Sequence, residues 1–274
     1  MGVALAWVFV TAPRAWAFSG IDPTNKYAWA GNAGWVDAAA SSTNGLTLRF
    51  DGTRGCLSGH AWGENIGWIK VGTDAGGPYL NDSATNWGVN MDADGHFSGY
   101  AWGENIGWIV FNPAQGGVTL DLMTGTFEGH AWGENIGWIK FKGEAPAFGV
   151  RTTATDRQPL GTPNWWLEHF DVTEAFDEGD GVPAWREYVA DTDPTEARSV
   201  FQIVGVSNRA PIRVTFPSSA RRYYTFQRRD NLSTGQWANV AGQINVPGTG
   251  GLDRLQDSSV GTQRFYRVTV SVSP

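Results

Sequence analysis

Residues 60–70 read HAWGENIGWIK, residues 100–110 read YAWGENIGWIV, and residues 130–140 read HAWGENIGWIK. A worn copy stands earlier, YAWAGNAGWV at 27–36. Each copy holds two tryptophans six residues apart: Trp29/Trp35, Trp62/Trp68, Trp102/Trp108 and Trp132/Trp138. A repeat of this kind constrains the fold more than any other feature. One supersecondary unit must recur, and its apolar surface must be covered by its neighbours.

Each unit has three parts. An alternating stretch ends at an aspartate: Leu46–Asp51, Trp87–Asp92 or Gly117–Asp121. A Gly-containing turn follows, then a second strand (Leu57–Trp62, Phe97–Trp102, Phe127–Trp132), the GENIG loop and a short third strand. These are hairpin signals, and they predict a three-stranded β-meander per copy. With the glycines of GENIG as the last paired residues, Trp62 faces Trp68 across the hairpin, and the other copies follow suit.

The period of two separates the faces. Ile69 and Val71 share one, as do Ile109/Phe111 and Ile139/Phe141. The other carries tryptophan with His, Tyr or Lys. A sheet apolar on both faces must be covered on both, unless one face binds something. Two expectations follow. The meanders stack or form a sandwich, with the tryptophans packed between units, so Trp102→Ala costs about 3–5 kcal/mol. The degenerate first copy, with Gly31 and Ala33 where later copies have Glu and Ile, reads as a terminal cap. Trp29→Ala should then cost less.

Trp62 and Trp102 lie 40 residues apart, and Trp102 and Trp132 lie 30 apart, so the extra length falls around 72–86 as a variable loop. The 274 residues carry a net charge of −7 and no basic block, which argues against a nucleic-acid partner. Cys56 is the one cysteine, so no intrachain disulfide framework exists; it reads as a small buried side chain or an intermolecular bridge. Residues 1–17 carry the short apolar run Val3–Val10 and end in Ala15-Trp16-Ala17, the A-x-A pattern of an export signal, although the basic n-region is missing. No later run is long enough for a membrane-spanning helix.

Residues 26–142, including GVNMDADGHFSGYAW, resemble the GWAWSENIGWISF-type repeats of exported bacterial proteins. The resemblance implies a secreted or surface-associated β-repeat protein and implies no activity. Residues 144–163 carry three prolines and read as a linker or irregular crossover. A first helix is expected from Asn164, its N-cap, to about Phe176, and a second after Pro183. The stretch FDEGDGVPAWREYVADTDP resembles a thrombospondin-type-3 or dockerin-like calcium segment, D-x-D-x-D-G-x5-E. Aligned on Gly181, the resemblance implies a calcium held by Glu178, Asp180, the Val182 carbonyl and Glu187. The first position falls on Phe176, a departure that a local shift to Asp177 would repair. From Ser199 about six short alternating strands predict a small β-sandwich, similar to C-terminal modules of exported bacterial surface proteins. Arg221, Arg222, Arg228 and Arg229 read as a solvated strand face.

The expected fold is therefore mainly β. It comprises a leader at 1–17, a Trp/Gly repeat domain at 18–143, a linker at 144–163, a helical calcium-loop-like segment at 164–198 and a C-terminal module at 199–274. Glu64, Glu104 and Glu134 recur in one register, as do Asn65, Asn105 and Asn135. An enzyme needs one asymmetric constellation, so recurring groups point to structure or multivalency. Asparagine in the loop suits a left-handed backbone, and the glutamates could brace a neighbouring strand. His60 and His130 do not make a metal series, because Tyr100 interrupts it. Two non-catalytic readings remain. One is an exported structural or cell-surface component, whose partners would be other surface proteins. The alternative is a module binding a surface glycan or cell-wall polymer through Trp62, Trp68, Trp102, Trp108, Trp132 and Trp138, edged by Glu64, Glu104 and Glu134.

Overall fold

The computed structural model of the chain describes residues 19–207, 209–259 and 264–274, so the leader expected at 1–17 lies outside the described residues. The chain is mainly β, as expected, and divides into two compact units at Asp171/Val172.

The strands of the first unit are β1 (Ser19–Ala30), β2 (Gly34–Asp37), β3 (Thr47–Phe50), β4 (Gly55–Ser58), β5 (His60–Gly63), β6 (Gly67–Lys70), β7 (Val89–Met91), β8 (Phe97–Gly103), β9 (Gly107–Val110), β10 (Gly117–Leu120), β11 (Phe127–Gly133), β12 (Gly137–Lys140), β13 (Lys142–Glu144) and β14 (Ala147–Thr152). The four GENIG-type loops close the hairpins β1–β2, β5–β6, β8–β9 and β11–β12. Trp62 faces Trp68 in register, as expected, and the same holds in each copy.

The meanders do not stack. Among the described residues, β2 pairs β5, β6 pairs β8, β9 pairs β11, and β12 returns to β1. Eight antiparallel strands thus form a closed barrel, and no strand edge of the ring is left open. The first copy is therefore no cap. Trp29 has β2 on one side and β12 on the other.

The stretch 144–163 is likewise no simple linker. Its strand β14 pairs β1, with Lys26 opposite Val150. It supplies the first strand of the meander whose other two strands, β1 and β2, stand near the other end of the sequence. Three meanders are thus contiguous, and the fourth is assembled from β14, β1 and β2.

The face carrying Ile, Val, Phe and Ala points inward. Each hairpin sets a small residue against a branched one: Ala28 opposite Val36, Ala61 opposite Ile69, Ala101 opposite Ile109, Ala131 opposite Ile139. All eight are buried. A narrow barrel can be filled only by such alternation of small and large side chains. Ala33, Ile66, Ile106 and Ile136 fill the loop end. Toward the other end Phe127 is fully buried, stacked on Phe97 at 5.1 Å and on Phe141 at 6.0 Å.

The long second strand bends at a glycine with positive φ: Gly59 (87°), Gly99 (92°) and Gly129 (80°). A Cβ on Gly129 would lie 1.9 Å from the Gly117 carbonyl oxygen, so no other residue fits there. In the worn copy Lys26 takes this place, and the register shifts between Ile21 and Lys26. The aspartates that end the first strands cap turns: the carboxylate of Asp51 accepts from the Thr53 and Arg54 amides, and that of Asp92 from the Asp94 and His96 amides. Cys56 is free and buried.

Helix α1 (Asn164–Phe170) belongs to this unit, with Trp165 packed edge-on to Phe50 at 5.0 Å. It ends at Phe170, short of the expected Phe176. Pro163 holds the N-cap position, and Asn164 instead donates through Nδ2 to the Thr153 carbonyl. The expected helical segment 164–198 is thus divided between the two units.

The second unit holds α2 (Ala184–Ala190), preceded by Pro183 as expected. Its strands are β15 (Gly205–Val206), β16 (Ile212–Pro217), β17 (Tyr223–Arg229), β18 (Ala238–Asn239), β19 (Val246–Pro247), β20 (Leu252–Asp257) and β21 (Phe265–Ser271). They form a three-stranded and a four-stranded sheet around Val214, Phe216, Tyr224, Phe226, Val240 and Leu255, a small sandwich. The arginine cluster there is only partly a solvated face, with Arg221 exposed and Arg228 and Arg229 half-buried. Arg222 is buried and donates to the Val189 and Tyr188 carbonyls, Arg221 pairs with Asp191, and Arg228 pairs with Asp257.

An inward phenylalanine and an outward tryptophan should respond differently to truncation. Phe127→Ala is expected to cost about 3–5 kcal/mol in chemical denaturation, as buried aromatic truncations do. Trp108→Ala should cost about 1–2 kcal/mol, the worth of a partly exposed aromatic pair. Equal losses would contradict the assignment of faces.

Candidate functional site

The tryptophan face points outward. Each hairpin carries one edge-to-face indole pair: Trp29–Trp35, Trp102–Trp108 and Trp132–Trp138 at 4.8 Å, and Trp62–Trp68 at 4.9 Å. A third ring abuts the second indole of each pair edge-on: Tyr27 at 6.2 Å, His60 at 6.1 Å, Tyr100 at 5.9 Å and His130 at 6.0 Å. His and Tyr interchange here because the position needs only a ring edge. The expectation that the tryptophans are buried between units is overturned. Trp68 keeps 47% of its surface exposed, Trp108 43% and Trp132 38%, while Trp62 and Trp102 are half-buried. The cause is closure, because a ring of eight strands has room inside for only one face, and the slimmer Ala/Ile face takes it.

Adjacent hairpins leave clefts between them. The register sets one variable residue opposite the first tryptophan of the next copy: Asp37 against Trp62, Lys70 against Trp102, Val110 against Trp132, and Lys140 against Trp29. A cavity of about 690 Å³ is walled by Trp62, Trp68, Lys70, Trp102 and Glu104. One of about 500 Å³ lies among Tyr27, Trp35, Asp37, Trp62, Glu64 and Phe148. One of about 740 Å³, at the closure, takes in Trp29, Trp35, Lys140, Lys142, Glu144 and Phe148.

The charges at these clefts are partly tied down. Asp37 pairs with Lys26 at 2.7 Å, Lys70 with Asp74 at 2.6 Å, and Lys142 with Glu128 at 2.5 Å. The Asp37 carboxylate holds the Lys26 ammonium above its usual range. Glu64, Glu104 and Glu134 are exposed, and among the described residues none makes a hydrogen bond or ion pair. They do not brace a strand. Glu64 and Glu104 edge clefts, and the closure copy has Gly31 in that place.

The loop asparagines do a different task from the one expected. The left-handed residue is the glycine two positions on: Gly34, Gly67, Gly107 and Gly137 have φ of 84°, 82°, 75° and 73°. Each asparagine reaches to the preceding loop. Asn65 Nδ2 donates to the Ala33 carbonyl at 3.1 Å, Asn105 to Ile66 at 3.1 Å and Asn135 to Ile106 at 3.0 Å. The worn copy keeps the residue, and Asn32 Nδ2 lies 3.2 Å from where a Cβ on Gly137 would stand. The loops are thereby linked around the mouth of the barrel, and the indoles are held on a rigid rim. Two further rings, which the six-residue tryptophan spacing does not single out, pack on the pairs: Phe148 on Trp35 at 5.2 Å and Trp87 on Trp108 at 5.1 Å.

The second unit brings together most of the carboxylates expected around calcium. Oxygens of Asp177, Glu178 and Asp180 lie within 4.8 Å of one another. Glu187, on α2, is fully buried. Its burial, with the charges of Glu178, Asp180 and Asp193 beside it, pushes its pKa up to about 7. Both Glu178 oxygens, Asp180 Oδ2 and Glu187 Oε2 are buried and accept no hydrogen bond. Asp177 accepts from the Gly179 and Gly181 amides and takes the place that Phe176 could not fill. Val182 is fixed by its amide, which donates to Asp180 Oδ1. Oxygen-only donors with unmet lone pairs fit a hard cation, since uncompensated buried carboxylates are otherwise costly. The exposed group Asp92, Asp94 and His96 is accounted for by its turn.

No family model, curated protein or solved structure matches this chain.

Proposed function

We propose that the repeat barrel is a non-catalytic carbohydrate-binding module of an exported or cell-surface protein of the GWAWSENIGWISF-repeat type. The reading rests on one observation above all: the indole pairs are displayed on the outside of a closed barrel, beside clefts edged by Glu, Lys and Asn. Flat indole faces suit the C–H faces of sugar rings, and acidic or amide edges suit their hydroxyls. A purely structural spacer would have no reason to hold eight indoles in water-facing pairs. A catalytic reading would require one cleft to differ chemically from the rest in a paired acid and base. The clefts instead vary around one plan.

Gel retardation by soluble β-glucan, xylan and mannan, compared between the native chain and Trp68→Ala/Trp102→Ala, tests this reading. At least one polymer is expected to slow the native protein. The variant, which loses the β6/β8 cleft, should be measurably less retarded while unfolding within about 2–3 kcal/mol of the native chain. Retardation unchanged in the variant, or absent with every polymer, would contradict it.

For the second unit, calcium bound by Asp177, Glu178, Asp180 and Glu187 is the proposed structural ion, tying the 177–182 loop to α2. A ligand that binds only the folded state raises the thermal midpoint. Calorimetry should show a higher midpoint for this unit in calcium than in chelator, and the difference should vanish in Glu187→Gln. Identical midpoints with and without calcium would count against the ion.

A further inference from the structure

We propose that the three clefts engage separate polymer chains, so that one barrel cross-links polysaccharide strands. The inference rests on the carbohydrate-binding reading and concerns what the ring geometry makes of it.

The clefts lie at three of the four junctions of a closed ring of hairpins, β2/β5, β6/β8 and β12/β1, the fourth junction being β9/β11. In such a ring the β6/β8 and β12/β1 clefts lie on opposite sides of the barrel. An eight-stranded barrel with strands about 4.8 Å apart has a radius on the order of 7–8 Å, and its lumen is filled. No chain can pass through the middle from one cleft to its opposite. A chain could visit several clefts only by wrapping the outside and turning through a right angle at each hairpin.

The shape of the clefts opposes wrapping. The β6/β8 cleft extends along the strands, from Glu104 and Asn105 at the loop end to Ser41 and Asn44 at the other. The indole pair of each hairpin stands as a ridge between neighbouring clefts. Trp62, for example, borders both the β2/β5 and the β6/β8 cleft. A chain seated in one cleft therefore runs up the barrel wall and leaves it, while the next cleft stays free for another chain. The asparagine links between loops keep the cleft directions fixed with respect to one another.

Repeated weak sites on one rigid body normally raise avidity for a single flexible ligand. Sites that point away from each other cannot do this on one stiff chain, and they join several chains instead.

Light scattering of the full chain mixed with each polymer of the retardation panel provides the test. With a polymer that retards the protein, scattering should rise at least severalfold near matched site ratios. It should fall again when protein is in large excess and each chain is saturated. A variant carrying Trp29→Ala, Trp35→Ala, Trp132→Ala and Trp138→Ala keeps the β6/β8 cleft. It should still be retarded while its scattering stays at the level of polymer alone.

Should that variant not fold, titration calorimetry of the native chain with short oligosaccharides of the same sugar replaces it. Two or three equivalents per chain are expected. Retardation with flat scattering at every ratio, or a single equivalent, would overturn cross-linking and leave carbohydrate binding standing. Retardation and heat both absent with every sugar would overturn the two together.

Discussion

Where Trp29 lies opposite Lys140 and Ala30 opposite Ile139, a strand from the start of the repeat region meets a strand from its end. Much else depends on that seam. Without it the meanders would form an open sheet with two apolar faces and two raw edges, a form prone to aggregation. With it, the Ala/Ile face becomes the lumen and the edges disappear. The indole face is left outside because a lumen of this radius has no room for eight more rings. Strand β14 extends the seam by pairing β1, so the fourth meander forms only when both ends of the repeat region are in place.

The same closure explains what the repeats conserve within this one chain and what they vary. Glycines recur where the second strand bends against a neighbouring carbonyl and where the loop turns left-handed. Asparagine recurs in all four loops, including the worn copy, because each loop is hydrogen-bonded to or packed on the one before it. The residue facing the next copy's first tryptophan varies freely: Asp37, Lys70, Val110, Lys140. Framework positions are constant and positions facing the clefts differ, the pattern the proposed binding reading requires. The Glu178 carboxylate and Glu187 Oε2, buried and accepting no hydrogen bond, stand apart from this plan and are the basis of the proposed cation.

Much of the local structure was legible in the sequence. The six-residue spacing of the tryptophans and the flanking glycines specify the hairpins and their register. Alternation separates the Ile face from the Trp face. The direction of the faces was not legible, because period two says which residues share a side and nothing about which side is inside. That is decided by ring closure, through the pairing of β12 and β14 with β1, far apart in sequence. The worn copy and the proline-bearing 144–163 stretch hid the partners of that pairing, so one read as a cap and the other as a linker. In the second unit, the acidic spacing pointed to Glu178, Asp180 and Glu187. The spacing also allowed Asp177 in place of Phe176, and the Gly179 and Gly181 amides fold onto that carboxylate.

Fluorine NMR of the chain labelled with 5-fluorotryptophan tests the inside-out arrangement most directly, with resonances assigned by single Trp→Phe replacements. A closed barrel with its indoles outside predicts solvent-isotope shifts between light and heavy water for the hairpin tryptophans, largest for Trp68 and Trp108. Buried Trp166 should show almost none. Hairpin resonances as insensitive to solvent as that of Trp166 would mean that the indole face is covered, and would contradict both the barrel's orientation of its faces and the clefts built upon it.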